Sequence, residues 1–141
     1  MLEEPVCEAL CVFIVDDDED DQFLLQQVFN EYCPECHVTV LSNGLELLAR
    51  LSKTTILPTL VLLDLNMPLM GGFEALVRIR QEPRYNALPV VVLTTSNQQE
   101  DREKARQLKA DGFFTKPSEM REYSELMLTW RRDFLVGTPD S

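Results

Sequence analysis

Leu60-Val61-Leu62-Leu63-Asp64-Leu65-Asn66-Met67-Pro68 carries the first decision about this chain. Four apolar residues with no polar alternation read as a strand buried on both faces, and such strands belong to parallel sheets covered by helices. A carboxylate closes the run. Asp64 therefore stands at the carboxyl end of a central strand, the edge of an open α/β sheet where ligands bind.

Working outward, further short runs at Cys11–Val15, Val38–Leu41, Val90–Thr94 and Gly112–Thr115 alternate with helical stretches. The pattern predicts a doubly wound, five-stranded parallel α/β sheet with helices on both faces. The first helix is expected from about Glu19 to Tyr32, stopped by Pro34, the second over Leu45 to Leu51, and the third from about Gly72 to Arg80. A fourth, Asn97 to Lys109, has Leu108 as its one leucine among charged and amide side chains, which predicts few buried contacts. The last follows Pro117 and sets Met120, Tyr123, Met127, Trp130 and Phe134 at steps of three and four, a stripe for packing on the sheet. With 141 residues, one domain over 1–141 is expected, its core at about 10–136 and a frayed tail at 137–141 with no output domain behind it.

The formal net charge of −11, from 24 acids against 13 bases, argues against nucleic acid and anionic membrane as partners. No apolar run approaches the ~18 residues of a membrane span. Met1-Leu2-Glu3-Glu4 has neither the cationic start nor the apolar core of an export signal, so the cytoplasm is the expected compartment. Cys33-Pro34-Glu35-Cys36 is a C-x-x-C, but it follows a helix and leads into a strand, the reverse of a redox motif's setting. One histidine, His37, and no second C-x-x-C leave zinc short of ligands. Free thiols at all four cysteines, Cys7 and Cys11 included, are the expectation.

Six acids, Asp16 to Asp21, leave the first strand directly. Asp18 to Asp21 are assigned mostly to the start of the first helix, where the macrodipole favours acids and Asp18 makes a good N-cap. Asp16 and Asp17 come before that helix, and clustered carboxylates there repel one another unless a cation sits between them. If the first and third strands are neighbours, Asp64 faces this pair, and three carboxylates describe a Mg²⁺ site that also recruits a phosphate, with Mn²⁺ able to substitute. The fourth strand ends in Thr94-Thr95-Ser96 and the fifth in Thr115-Lys116-Pro117. Each feature alone has an ordinary structural explanation. An acid pair, a lone Asp, a hydroxyl and a Lys-Pro at the ends of strands one, three, four and five together supply what phosphoryl transfer to a carboxylate needs.

From about Val12 to Phe134 the sequence resembles the receiver-domain family of response regulators in two-component signalling, of the stand-alone, single-domain type. The resemblance implies the flavodoxin-like strand order 2-1-3-4-5, with Asp64 as phosphoacceptor. It implies that Asp17 binds Mg²⁺ directly, that Asp16 supports it through water or a hydrogen bond, and that Asn66 offers its backbone carbonyl. Thr94 and Lys116 would bind phosphoryl oxygens, Phe113 would be the aromatic that reports phosphorylation, and Thr95 with Asn66 would tune loss of the phosphoryl group. Thr95 stands where relatives often carry a smaller residue, which predicts slower loss. Such a protein is not a conventional enzyme, although it catalyses its own phosphorylation and dephosphorylation. Its donor would be a sensor histidine kinase or a phosphotransfer protein, phytochrome-type kinases among them, and its output an unidentified downstream protein.

Two other readings compete. A haloacid-dehalogenase-like phosphatase shares a strand followed by Asp-x-Asp, but Glu19-Asp20 stands where those enzymes want Thr or Val, and 141 residues leave no room for a cap domain. A non-phosphorylated docking module would lack part of the acid, Thr and Lys set, and none is missing. Flavin is disfavoured by the six acids. If Trp130 or Phe134 lies exposed near the end of the last helix, it would seed a homodimer; packed inward, it would not.

Overall fold

The computed structural model describes residues 10–135. In chain order they form β1 (Leu10–Val15), α1 (Glu19–Tyr32), β2 (Cys36–Leu41), α2 (Gly44–Lys53), β3 (Leu60–Leu63), α3 (Gly72–Gln81), a 3₁₀ turn (Pro83–Tyr85), β4 (Val90–Thr94), α4 (Gln99–Gln107), β5 (Gly112–Thr115) and α5 (Met120–Asp133). The five strands pair in parallel in the order β2-β1-β3-β4-β5. This is the doubly wound, flavodoxin-like sheet that the alternation of elements predicts.

Alternate residues of each strand serve opposite faces, because successive side chains point to opposite sides of a pleated sheet. Val12, Ile14, Leu60, Leu62, Val91 and Leu93 pack with Leu25, Val28 and Phe29 of α1 and with Tyr123, Met127 and Trp130 of α5. Phe13, Val15, Val61, Leu63 and Val90 face the other way, onto Leu47 and Leu51 of α2 and Ala75, Leu76 and Ile79 of α3. With both faces covered, β3 has no polar side, which explains its unbroken apolar run. α4 buries only Ala105, and beneath it lies a small cluster of Leu65, Val92 and Ala105 flanked by Phe73, Ala110 and Phe113.

Local chemistry sets the element ends. Asp18 caps α1, accepting from the Asp20 and Asp21 amides, and Asn43 caps α2 through the Glu46 amide. β2 begins at Cys36, two residues before the expected Val38, because its register on β1 runs from Leu10↔Cys36 to Val15↔Leu41. α4 is shorter at both ends than the expected 97–109. Lys109, at φ 70°, turns the chain out of it toward β5.

One expectation is corrected here and one open alternative is settled. Cys33 and Cys36 are joined as a disulfide and are not free thiols. The Cys33 amide donates to Phe29 O as α1 ends, and the Cys36 amide donates to Cys33 O (2.9 Å). That turn brings the two Cα atoms to 5.6 Å, within disulfide reach. The pair therefore no longer marks a reducing compartment. Cys11 is free, while Cys7 and the tail at 137–141 lie outside the described residues. Trp130 is fully buried between Phe29 and Phe114, so it cannot seed a dimer; Phe134 is half-buried and packs against the same core. The large apolar side chains exposed on α5 are Leu128 and, at its first residue, Met120. Among the described residues no helix is long and apolar enough to cross a membrane.

Candidate functional site

The register of β1 on β3 pairs Val15 with Leu63, so Asp16 and Asp64 leave neighbouring strands side by side. The backbone fixes both: the Asp64 amide donates to Val15 O (3.0 Å) and the Asp16 amide to Leu41 O (2.9 Å). Carboxylate oxygens of Asp16, Asp17 and Asp64 all lie within 4.8 Å of one another. Asp16 and Asp64 are buried and Asp17 is exposed, giving the cluster a closed floor and a side open to solvent. The chain then passes close behind Asp64: a Cβ on Gly72 would stand 2.2 Å from Asp64 O, so α3 can start here only with glycine. Between them Leu69, at φ 69° and 78% exposed, centres a tight turn closed by the Met70 amide on Pro68 O (2.7 Å).

Lys116 leaves β5 across the same crevice. Its Nζ lies 2.7 Å from Asp16 Oδ2, 2.7 Å from Asp21 Oδ2 and 3.7 Å from Asp64 Oδ2, and only 7% of its side chain is exposed. The fold holds it there through the Lys116 amide, which donates to Thr94 O (2.7 Å). Burial pushes the Asp64 carboxyl from 3.8 up to about 6; Lys116 opposes this, and the charges of Asp16 and Asp17 add to it. Asp16 is also raised by burial, against its hydrogen bonds from Lys116 and the Asp18 amide. Burial alone would lower the Lys116 ammonium, but its hydrogen bonds to Asp16 and Asp21 and the charge of Asp64 hold it well above the ordinary lysine range. A single lysine thus leaves the acid cluster under-compensated.

Thr94 ends β4 fully buried, its Oγ1 accepting from the Ser96 amide (3.3 Å). Thr95 and Asn66 are exposed on neighbouring loops. Phe113 is half-buried beneath α4, and its ring is covered by the Arg102 guanidinium at 4.8 Å from the centroid. Arg102 also donates to Phe113 O (3.4 Å).

Residues 12–127, most of the chain, match the family described as the response regulator receiver domain. The chain belongs to the response regulator receiver domain family. Its curated relatives include Response regulator Rcp1 of Synechocystis sp., 31% identical over 121 residues that make up 82% of each chain. The phosphorylated cyanobacterial phytochrome response regulator RcpA superposes with a TM-score of 0.83 at 27% identity, covering 91% of this chain and 95% of that one. The Mn²⁺-bound form of Rcp1 superposes with a TM-score of 0.78 at 29% identity, covering 88% and 93%. This receiver domain is a component of two-component signalling and not a conventional enzyme, which leaves the phosphatase reading without support.

Receiver domains bind a divalent metal, and the donor set of this one suits such an ion: three carboxylates, two of them buried with ionisation disfavoured, and one side open for further oxygen ligands. Sequence reasoning placed Asp16, Asp17, Asp64, Thr94 and Lys116 at one edge of the sheet, and the structure brings the four charged ones together there. It missed Asp21. That acid lies in the first turn of α1, as expected, and also reaches Lys116 across 95 residues of chain. The available signal was its position one turn after Asp17, on the helix face that looks back over the strand ends.

Proposed function

We propose that this receiver is a phosphorylation switch in which Asp64 accepts a phosphoryl group from a histidine kinase or a phosphotransfer protein, with Mg²⁺ as the working cation and Mn²⁺ as a substitute. The observation that carries this reading is the convergence of Asp16, Asp17 and Asp64 within 4.8 Å, with the Lys116 ammonium at their edge. A carboxylate and a phosphoryl donor are both anions, so the reaction needs positive charge placed between them. Asp17 and Asp64 would hold the cation together with the Asn66 carbonyl, and Asp16 would steady it through water or a hydrogen bond. The cation would neutralise charge developing on the transferred group. Asp64 supplies the attacking oxygen, and Lys116 pairs with a phosphoryl oxygen as a point charge.

Thr94 then gains a partner for its buried hydroxyl, because the aspartyl phosphate brings about two negative charges and strong acceptor oxygens. Its movement opens space for Phe113, which carries no hydroxyl, so the inward state rests on packing. α4 is the element this displaces, and a downstream protein reads the change. That receiver domains interact with histidine kinases or phosphotransfer proteins supports a receiver that works through partner proteins. We place it in the cytoplasm on the strength of its family.

The test is intact mass after incubation with acetyl phosphate, with and without Mg²⁺. One added phosphoryl group that depends on Mg²⁺ and is absent from Asp64→Ala is the expected result. No addition to the wild type overturns the switch and leaves a docking module with receiver shape.

A further inference from the structure

The ion pair between Asp21 and Lys116 is not accounted for by the acid cluster. Asp21 is excluded from the set of three oxygens that converge, yet its Oδ2 lies as close to the ammonium, 2.7 Å, as that of Asp16. Both oxygens are 1 Å nearer to Nζ than Asp64 Oδ2 is, at 3.7 Å. The lysine is therefore seated toward α1, away from the residue whose phosphorylation it would serve. Asp21 is 27% exposed at its side chain, and Asp16 and Lys116 are nearly closed off, so water screens the three-way contact only on one side.

We propose that Asp21 is a positioning residue that holds Lys116 in a resting seat and competes with the phosphoryl group for it. The proposal rests on the switch reading above and names a brake within it. Asp16 belongs to the carboxylate cluster as well, so a cation there draws its charge away from the ammonium, whereas Asp21 lies outside the cluster and keeps its hold. For Lys116 to reach a phosphoryl oxygen on Asp64, the Asp21 contact must be given up or shared. The acid thus sets how much of the lysine's charge is available, without touching the reacting atoms.

The competition predicts a gain from removing the Asp21 charge. Beryllofluoride mimics a phosphoryl group on a carboxylate, and its affinity can be measured by ¹⁹F NMR or calorimetry at saturating Mg²⁺. Asp21→Asn should bind it about fivefold more tightly, the scale of one partly exposed ion pair. Asp21→Glu, which keeps the charge, should stay near the wild type. Asp20→Asn removes a neighbouring, exposed acid that makes no ion pair with Lys116, and should change affinity less than about twofold, the size of general screening. Mg²⁺ affinity without beryllofluoride should be nearly the same in all four proteins, because Asp21 is not in the cluster. An unchanged or weaker affinity in Asp21→Asn, or an equal gain in Asp20→Asn, overturns the brake while leaving the switch intact. If the wild type binds no beryllofluoride with Mg²⁺ present, the switch reading itself falls, and the brake with it.

Discussion

At Asp64 the cost of ionisation has a sign that can be measured. Its carboxyl is raised from 3.8 to about 6, mainly by burial, so the metal-free folded protein holds this proton more tightly than the unfolded chain does. The ionised group therefore subtracts stability above pH 6, and the loss is relieved as pH falls toward 4. Asp64→Asn should be more stable than the metal-free wild type by on the order of 2 kcal/mol at pH 7.5, with the gap narrowing below pH 6 and closing toward pH 4. Mg²⁺ should stabilise the wild type and barely affect the variant, because a ligand stabilises only the state that binds it. Thermal melts at two pH values with and without Mg²⁺ check both; a wild type more stable than the variant at every pH contradicts the account. Thr95 adds a kinetic test. It is exposed beside buried Thr94, and a β-branched side chain there would narrow the approach of water to a phosphoryl group on Asp64. The aspartyl phosphate should be lost severalfold faster in Thr95→Ala, and equal or slower loss would remove that role.

Among the elements, α4 is held in an unusual way. It buries one alanine, but Arg102 lies 4.8 Å from the Phe113 ring and Lys104 Nζ lies 4.7 Å from the Phe73 ring, so two cations fasten it to β5 and α3. Each such contact contributes about 1 kcal/mol, so Arg102→Ala should raise hydrogen exchange in α4 about fivefold without a comparable change in α1 or α5. Uniform protection in α4 and its neighbours would show that the cations carry nothing. The start of α3 gives the opposite case, a contact with no room. Gly72→Ala drives a Cβ against Asp64 O, which should cost about 2 kcal/mol and weaken Mg²⁺ binding by displacing Asp64; a stable variant with normal affinity would contradict the close approach. The sparse apolar content of α4 was visible in its sequence, since the expected helix over 97–109 carried one leucine, Leu108, which turns out to lie at the C-cap. The cations over aromatics were not, because they join residues brought together only by the folded sheet.

Across the whole molecule, what was legible followed from short-range rules. An unbroken apolar run marked β3 as a central strand beside β1, Asp18 and Pro34 marked the ends of α1, and the acids, Thr94 and Lys116 fell at strand ends because a parallel sheet gathers those ends on one edge. What escaped were pairings that depend on geometry across the chain or within a turn. Asp21 read as a helix-start acid until β5 brought Lys116 over it, and Cys33 and Cys36 read as free until the turn after α1 set them at disulfide distance. Trp130 stood open to either reading until Phe29 and Phe114 closed around it.

The central claim is that one carboxylate, Asp64, carries the phosphoryl group. Borohydride reduces an aspartyl phosphate to homoserine, so the chain labelled with acetyl phosphate and Mg²⁺, then reduced and digested, reports the modified position by peptide mass. The account predicts homoserine at residue 64 and nowhere else. Homoserine at Asp16, Asp17 or Asp21, or a labelled chain with residue 64 intact, would contradict it.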